Sequence, residues 1–295
     1  RTGVDMIRPE IQDRFYRTFA YQPVDRVPDI EFGYWPQTIR RWLKEGLPLE
    51  LTAEEQKQMF LRKLDDFFGF EAEGHGIHVH WEMNPLFEEK IIERRANSVV
   101  MVDVDGVLAE RFLHDQDESS IPHYLKFPVE TPADWAEMKK RFRLDDPIRV
   151  IPPEEIAKAR QAVAEGKAIH VFFVGFYGKL RAWMGTENLS LAFYDEPVMV
   201  REMVEHWAEL LARQIEQLPA DLPVDVVGWW EDMAGKNGPL CGPDQFREFL
   251  QPGYRRVMTA ARRHGCELSW VDSDGNPRAI IPNWLEEGVN IMFPI

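Results

Sequence analysis

Leu268-Ser269-Trp270-Val271-Asp272-Ser273-Asp274-Gly275-Asn276 begins as an apolar run and ends in a polar turn. A helical pattern from Pro277 to Glu287 follows at once. An apolar strand that feeds a helix through a polar turn is the repeating unit of a β/α protein. In such folds chemistry is placed at the C-terminal ends of the strands. The same shape occurs upstream, where Val224-Asp225-Val226-Val227-Gly228-Trp229-Trp230 ends in Glu231-Asp232. Two acid-tipped strands therefore mark the candidate functional rim.

Further units extend this pattern in both directions. Ile169–Val174 reads as a strand ending in Gly175-Phe176-Tyr177-Gly178. Pro197–Gln217 is amphipathic, with Val200, Met203, Val204, Trp207, Leu210, Leu211 and Ile215 on one face. Pro243–His264 reads as a helix with proline at its start, and Asn290–Phe293 as a last strand. Strands apolar on both faces that alternate with helices predict a parallel sheet under a helical layer. Near the N-terminus, Arg8–Ala20 has helical spacing of Ile11, Phe15 and Phe19, and Asp29–Tyr34 is a strand candidate. Thr52 and Glu55 stand at capping-box distance and open a helix expected to reach Gly69. From Ile77 to Phe112 the pattern changes. Alternation in Lys90–Arg94 and Val99–Val104, with Asp105-Gly106 as a turn, predicts an inserted β-hairpin region. Core strands are expected near Ile30, His170, Val226, Leu268 and Ile291. A closed (β/α)₈ barrel has eight, so further strands are expected beyond Ile295.

Composition narrows the class. The 295 residues are 44% hydrophobic, enough for one large α/β domain. A net charge of −15 argues against nucleic acid and anionic membranes as partners. No apolar run approaches the roughly 18 residues of a membrane span. Cys241 and Cys266 lack CxxC spacing, which points to a reducing cytoplasm and to buried thiols rather than a disulfide framework. A small-molecule substrate is expected, with a homodimer as a candidate assembly.

Four groups of residues have chemistry to offer. Glu231-Asp232 suit metal ligation or acid/base work, or else one caps a loop while the other is solvated. In Asp272-Ser273-Asp274-Gly275-Asn276, helix-start chemistry accounts for Asn276 as cap, Gly275 for positive φ and Pro277 at the first helical position. Asp272 and Asp274 are left over as catalytic or metal-binding candidates. His78, His80 and Glu82 alternate, so on a strand they share one side, and two histidines with a carboxylate suit zinc or iron. Phe176, Tyr177, Arg181, Trp230 and Tyr34 are candidates for a substrate pocket lined by aromatic rings and one cation. The chain has no GxSxG, P-loop or GxGxxG motif, which sets aside the corresponding hydrolase, NTPase and dinucleotide classes.

Four stretches together resemble the uroporphyrinogen decarboxylase superfamily, which also holds the corrinoid-dependent methyltransferases. They are Pro23–Pro28 (PVDRVP), Phe173–Gly185 (FVGFYGKLRAWMG), Glu231–Leu250 with Pro252, and Asp272–Pro294. The resemblance implies one (β/α)₈ barrel over residues 1–295, with its last strands beyond the chain's end. The Arg-Gln-Ala-Gly-Arg run of true uroporphyrinogen decarboxylases is replaced here by Gly33–Arg41 (GYWPQTIRR). The His-x-Cys zinc motif of thiol-activating members is replaced by Asp272 and Asp274. The activity so implied is methyl transfer between a small methoxy-type substrate and a corrinoid carried by a partner protein. Asp272, Asp274 and Glu231 would then serve as acid or as ligands to zinc or another divalent metal. A carboxy-lyase using Arg40, Arg41 and Arg181, or a non-catalytic barrel, is the alternative.

Overall fold

The computed structural model describes residues 14–71, 74–113 and 121–294. Its centre is a five-stranded, all-parallel sheet built from His75–Gly76, Ile169–Val174, Val226–Trp230, Leu268–Asp272 and Ile291–Phe293. The strands lie side by side in chain order, with no reversal. Four of the five expected core strands are in place. Asp29–Tyr34 is not a strand: Glu71 N donates to Asp29 O (2.8 Å) and Tyr34 N to Met59 O (2.8 Å), so its backbone bonds singly to loops. His75–Gly76 takes the edge instead, beside Ile169–His170.

Side chains alternate across a strand, so register sorts them into two faces. Ile169, Val171, Phe173, Val227, Trp229 and Val271 face the helices and join the main core. That core also takes buried residues from the helices Phe176–Met184, Pro197–Glu216 and Gln251–Arg262. On the opposite face, Phe172, Gly228, Trp270 and Ile291 lie in one row. Phe172 and Trp270 stack across Gly228, ring centres 5.6 Å apart. A Cβ on Gly228 would overlap the Trp270 ring, so glycine is what lets the two rings meet. Below this row, Tyr16 and Ala20, at and just beyond the helix Arg14–Phe19, cover Ala168, Val226, Leu268 and Ile291 at the strands' N-terminal ends. Ile11 and the start of the expected Arg8–Ala20 helix lie outside the described residues.

The inserted β region is a four-stranded antiparallel sheet of Lys90–Arg94, Ser98–Val102, Leu108–Phe112 and His123–Lys126, one strand longer than the expected 77–112. Its Asp103–Gly106 turn is closed by Asp103 Oδ1, which accepts from Asp105 N and Val107 N. The capping box at Thr52 and Glu55 forms, with both reciprocal bonds present (2.8 and 3.2 Å). The helix it opens does not run through to Gly69. It breaks into a 3-10 turn, Glu55–Lys57, and the helix Arg62–Phe68, and Met59 O between them accepts from Tyr34 N. Pro243–His264 likewise carries a wide π turn at Phe246–Leu250, ahead of Pro252. The final helix starts at Ile281 rather than Pro277. Asn276 Oδ1 caps only a turn, accepting from Arg278 N at 3.3 Å.

A candidate active site at the strand ends

Asp272 closes its strand in the same row as Trp230 and Phe293 on the neighbouring strands, on the face away from the helices. It is 9% exposed. Burial, then the like charges of Asp274 and Asp232, push its carboxyl up to about 6. Two acid turns are laced together here. Glu231 N and Asp232 N donate to Asp272 O (2.9 and 3.3 Å), Met233 N to Ser273 Oγ (3.0 Å), and Asn276 N to Gly235 O (3.0 Å). Gly275, at φ +87°, lies where a Cβ would overlap Ala234 O. Asp232 itself is held at φ +45°, a left-handed conformation unusual for a residue with a side chain. Its carboxylate accepts from Arg181 Nη2 at 3.1 Å, and the Arg181 guanidinium lies 5.3 Å over the Trp230 ring. An aromatic floor, one fixed cation and a carboxylic acid with a raised pKa thus meet at one strand end. Such a place can hold a small planar molecule and pass it a proton.

Glu231 is only one residue past its own strand, yet it faces the other way. It is fully buried, and its carboxylate accepts from Phe176 N (2.7 Å), Gly178 N (2.6 Å) and the Tyr254 hydroxyl. The helix Phe176–Met184 has no side-chain cap of its own, so Glu231 satisfies its first amide donors from across the sheet. A Cβ on Gly175 would overlap that carboxylate. Burial pushes the Glu231 carboxyl up to about 7, against the pull of Tyr254 and the two amides. Its role in the structure is to seat the helix that carries Tyr177 and Arg181.

The remaining candidates fall in several places. Tyr177 is buried beside this carboxylate, with its hydroxyl unbonded among the described residues and its pKa raised by burial. Phe176 is core, packed against Trp229 (5.8 Å) and Tyr254 (4.8 Å). Tyr34 belongs to a separate cluster with Ile39, Leu61 and Leu64, its hydroxyl donating to Asp65 (3.0 Å). Decarboxylation needs arginines that converge. Arg181 stands at the rim, whereas Arg41 pairs with Glu45 on an exposed helix face (3.5 Å). Cys241 and Cys266 are buried, with thiols pushed up to about 12.

The five expected metal ligands do not form one set. Among the described residues, the three-residue cluster able to hold an ion is His78, His80 and Glu82. Glu231's carboxylate already has three donors and faces away from Asp272 and Asp274. Asp232, read from the sequence as a metal-ligand or acid/base candidate, orients Arg181. One residue escaped the sequence reading. Lys179 lies among Phe142 (4.9 Å), Trp207 (4.9 Å), Trp183 (5.4 Å) and Trp81 (5.7 Å), its ammonium pushed down to about 8 by burial. Its one sequence signal was its place in an aromatic-rich stretch.

No described helix is long and apolar enough to cross a membrane. No protein-family model and no curated protein matches the chain. Among solved structures it is similar to a methyltransferase from Methanosarcina mazei, with 14% identity and a TM-score of 0.51, over 94% of this chain and 73% of that one. At that identity the likeness is one of fold: this chain shares the α/β architecture of a methyltransferase.

Proposed function

We propose that the chain is a methyltransferase of the uroporphyrinogen decarboxylase superfamily, built on a (β/α)₈ barrel and acting on a small methoxy-type substrate. Sequential parallel strands, a helical layer on one face and the helix Arg14–Phe19 against the strands' N-terminal ends support the barrel. A doubly wound sheet reverses its strand order and carries helices on both faces. The observation that carries the function is Asp272, nearly buried at a strand C-terminal end, its carboxyl raised to about 6 and in register with Trp230, whose ring lies under the Arg181 guanidinium.

Breaking a methyl–oxygen bond leaves an alkoxide or phenoxide that must be neutralised. Asp272 in its acid form donates its proton to that oxygen as the bond breaks, remains as a carboxylate, and is reprotonated from solvent. Trp230 offers a face for the substrate, and Arg181 a cation for an anionic substituent. A corrinoid borne on a partner protein supplies the methyl-accepting centre. The face beside Asp272 offers apolar rings to a flat macrocycle: Phe172 and Phe293 are each 38% exposed there. The test is transfer of labelled methyl from an aryl methyl ether to a reduced corrinoid protein. Transfer is expected to fall as pH rises through about 6, where Asp272 ionises. No transfer from any methoxy donor, or a rate that rises across that range, overturns the assignment.

A further inference from the structure

The His78, His80 and Glu82 side chains share no residue with the Asp272 site. They stand on the segment that runs on from the strand His75–Gly76. Ile77, Val79 and Met83 on this segment are buried in the main core, and Trp81 packs against it. The alternate positions therefore project together on the other side. His78 Nε2 is 3.8 Å from Glu82 Oε1, and His80 Nδ1 is 4.0 Å from Glu82 Oε2. The two imidazoles stand at 90°, with ring centres 4.6 Å apart. One ligand atom from each of the three residues lies within 4.8 Å of the others.

The backbone beneath them is fixed. Arg149 is buried and its Nη1 donates to both His80 O (3.1 Å) and Glu82 O (2.5 Å). His80 N donates to Gln214 Oε1 at 3.0 Å. Arg149 O in turn accepts from Gln214 Nε2 (3.1 Å) and Gln217 Nε2 (2.9 Å), which ties the segment to the end of the long helix Pro197–Glu216. Side chains alone need to move to close around an ion.

We infer that His78, His80 and Glu82 form a binding site for a divalent transition metal, with zinc as its best-matched occupant. Two imidazoles and one carboxylate are borderline donors suited to zinc, cobalt and nickel rather than to calcium or magnesium. Ligands at about 2.0–2.1 Å in tetrahedral array sit about 3.3 Å apart, so the present separations close by rotamer adjustment. The exposed side leaves room for a water in the remaining position. The site does not depend on the methyl-transfer assignment.

The experiment is titration of the chelator-treated chain with Co²⁺, read by visible d–d absorption, followed by displacement with Zn²⁺. One equivalent with a tetrahedral cobalt spectrum is expected. His78→Ala and His80→Ala should each weaken binding by about tenfold or more, whereas Asp272→Asn should leave it unchanged. Glu82→Gln, which keeps the side-chain shape, provides the same test if a histidine variant folds poorly. No uptake by the unaltered chain overturns the site. So does unchanged affinity in the His78→Ala/His80→Ala double variant, because the ion would then be held elsewhere on the acidic surface.

Discussion

Glu231 and Asp272 follow or end neighbouring strands in nearly the same sequence setting, yet one seats a helix and the other faces the open side of the sheet. The difference is parity. Asp272 pairs in register with Trp230, so Glu231 is one residue further along and points to the opposite face. On the outer face it meets the amides of Phe176 and Gly178 and the hydroxyl of Tyr254. On the inner face Asp272 meets Trp230 and two other acids. An acid at a parallel strand's end faces the open side of the sheet or seats a helix according to a single-residue offset.

The strongest way to break this contrast is to remove each carboxylate in turn. Asp272→Asn should lower methyl transfer by about 10²–10⁴-fold, the usual worth of a positioned proton donor, while the thermal midpoint stays within a few degrees. Glu231→Ala should do the reverse in kind. It strands three buried donors, each worth about 1–3 kcal/mol, so a loss of at least about 3 kcal/mol is expected by denaturant unfolding. A Glu231→Ala protein of unchanged stability would remove its structural role. An Asp272→Asn protein of unchanged activity would remove Asp272 from the chemistry.

A smaller effect separates the two by pH. The folded Glu231 carboxyl is raised to about 7, above its ordinary value near 4.5 in an unfolded chain. Between those values the unfolded state has already lost the proton that the folded state keeps. Its contribution to stability is therefore complete below about 4.5 and is lost as pH rises through about 7. Glu231→Gln should flatten that part of the stability profile, measured by urea unfolding from pH 4 to 8. A profile of unchanged slope would mean that the carboxylate is ionised throughout, held by its three donors.

Parity is also why the sequence was legible only in part. Ile169–Val174, Val226–Trp230, Leu268–Asp272 and Ile291–Phe293 were readable as apolar runs between turns, and Thr52 with Glu55 as a capping box. A second capping box forms at Thr131 and Asp134, where the helix Pro132–Lys139 starts. Val226-Val227-Gly228-Trp229-Trp230 is apolar on both faces, however, so no alternation tells which side Glu231 will take. Asp29–Tyr34 looked like a strand because local pattern does not record a missing neighbour. Its hydrogen bonds go to Met59 and Glu71, distant in sequence. The break in the helix after Lys57 is likewise met by a distant partner, Tyr34 N on Met59 O. Of the four rings around Lys179 only Trp183 is local in sequence; Trp81, Phe142 and Trp207 come from three separate segments.

Asp232 offers the finest test of whether the rim is shaped for chemistry or for folding. Its φ of +45° costs a residue with a side chain about 1 kcal/mol relative to glycine. Its ion pair with Arg181 is partly exposed and is worth about 0–1 kcal/mol in return. Asp232→Gly should therefore change stability by less than about 1 kcal/mol in either direction. Its electrostatic consequence falls on Asp272. Removing a like charge, and freeing the Arg181 cation, both favour the ionised form of Asp272, so the pH midpoint of methyl transfer should move below about 6. A midpoint that stays in place while stability drops would make Asp232 a structural residue of the turn. A midpoint that falls at constant stability would mean that its strained backbone is retained to keep Asp272 protonated.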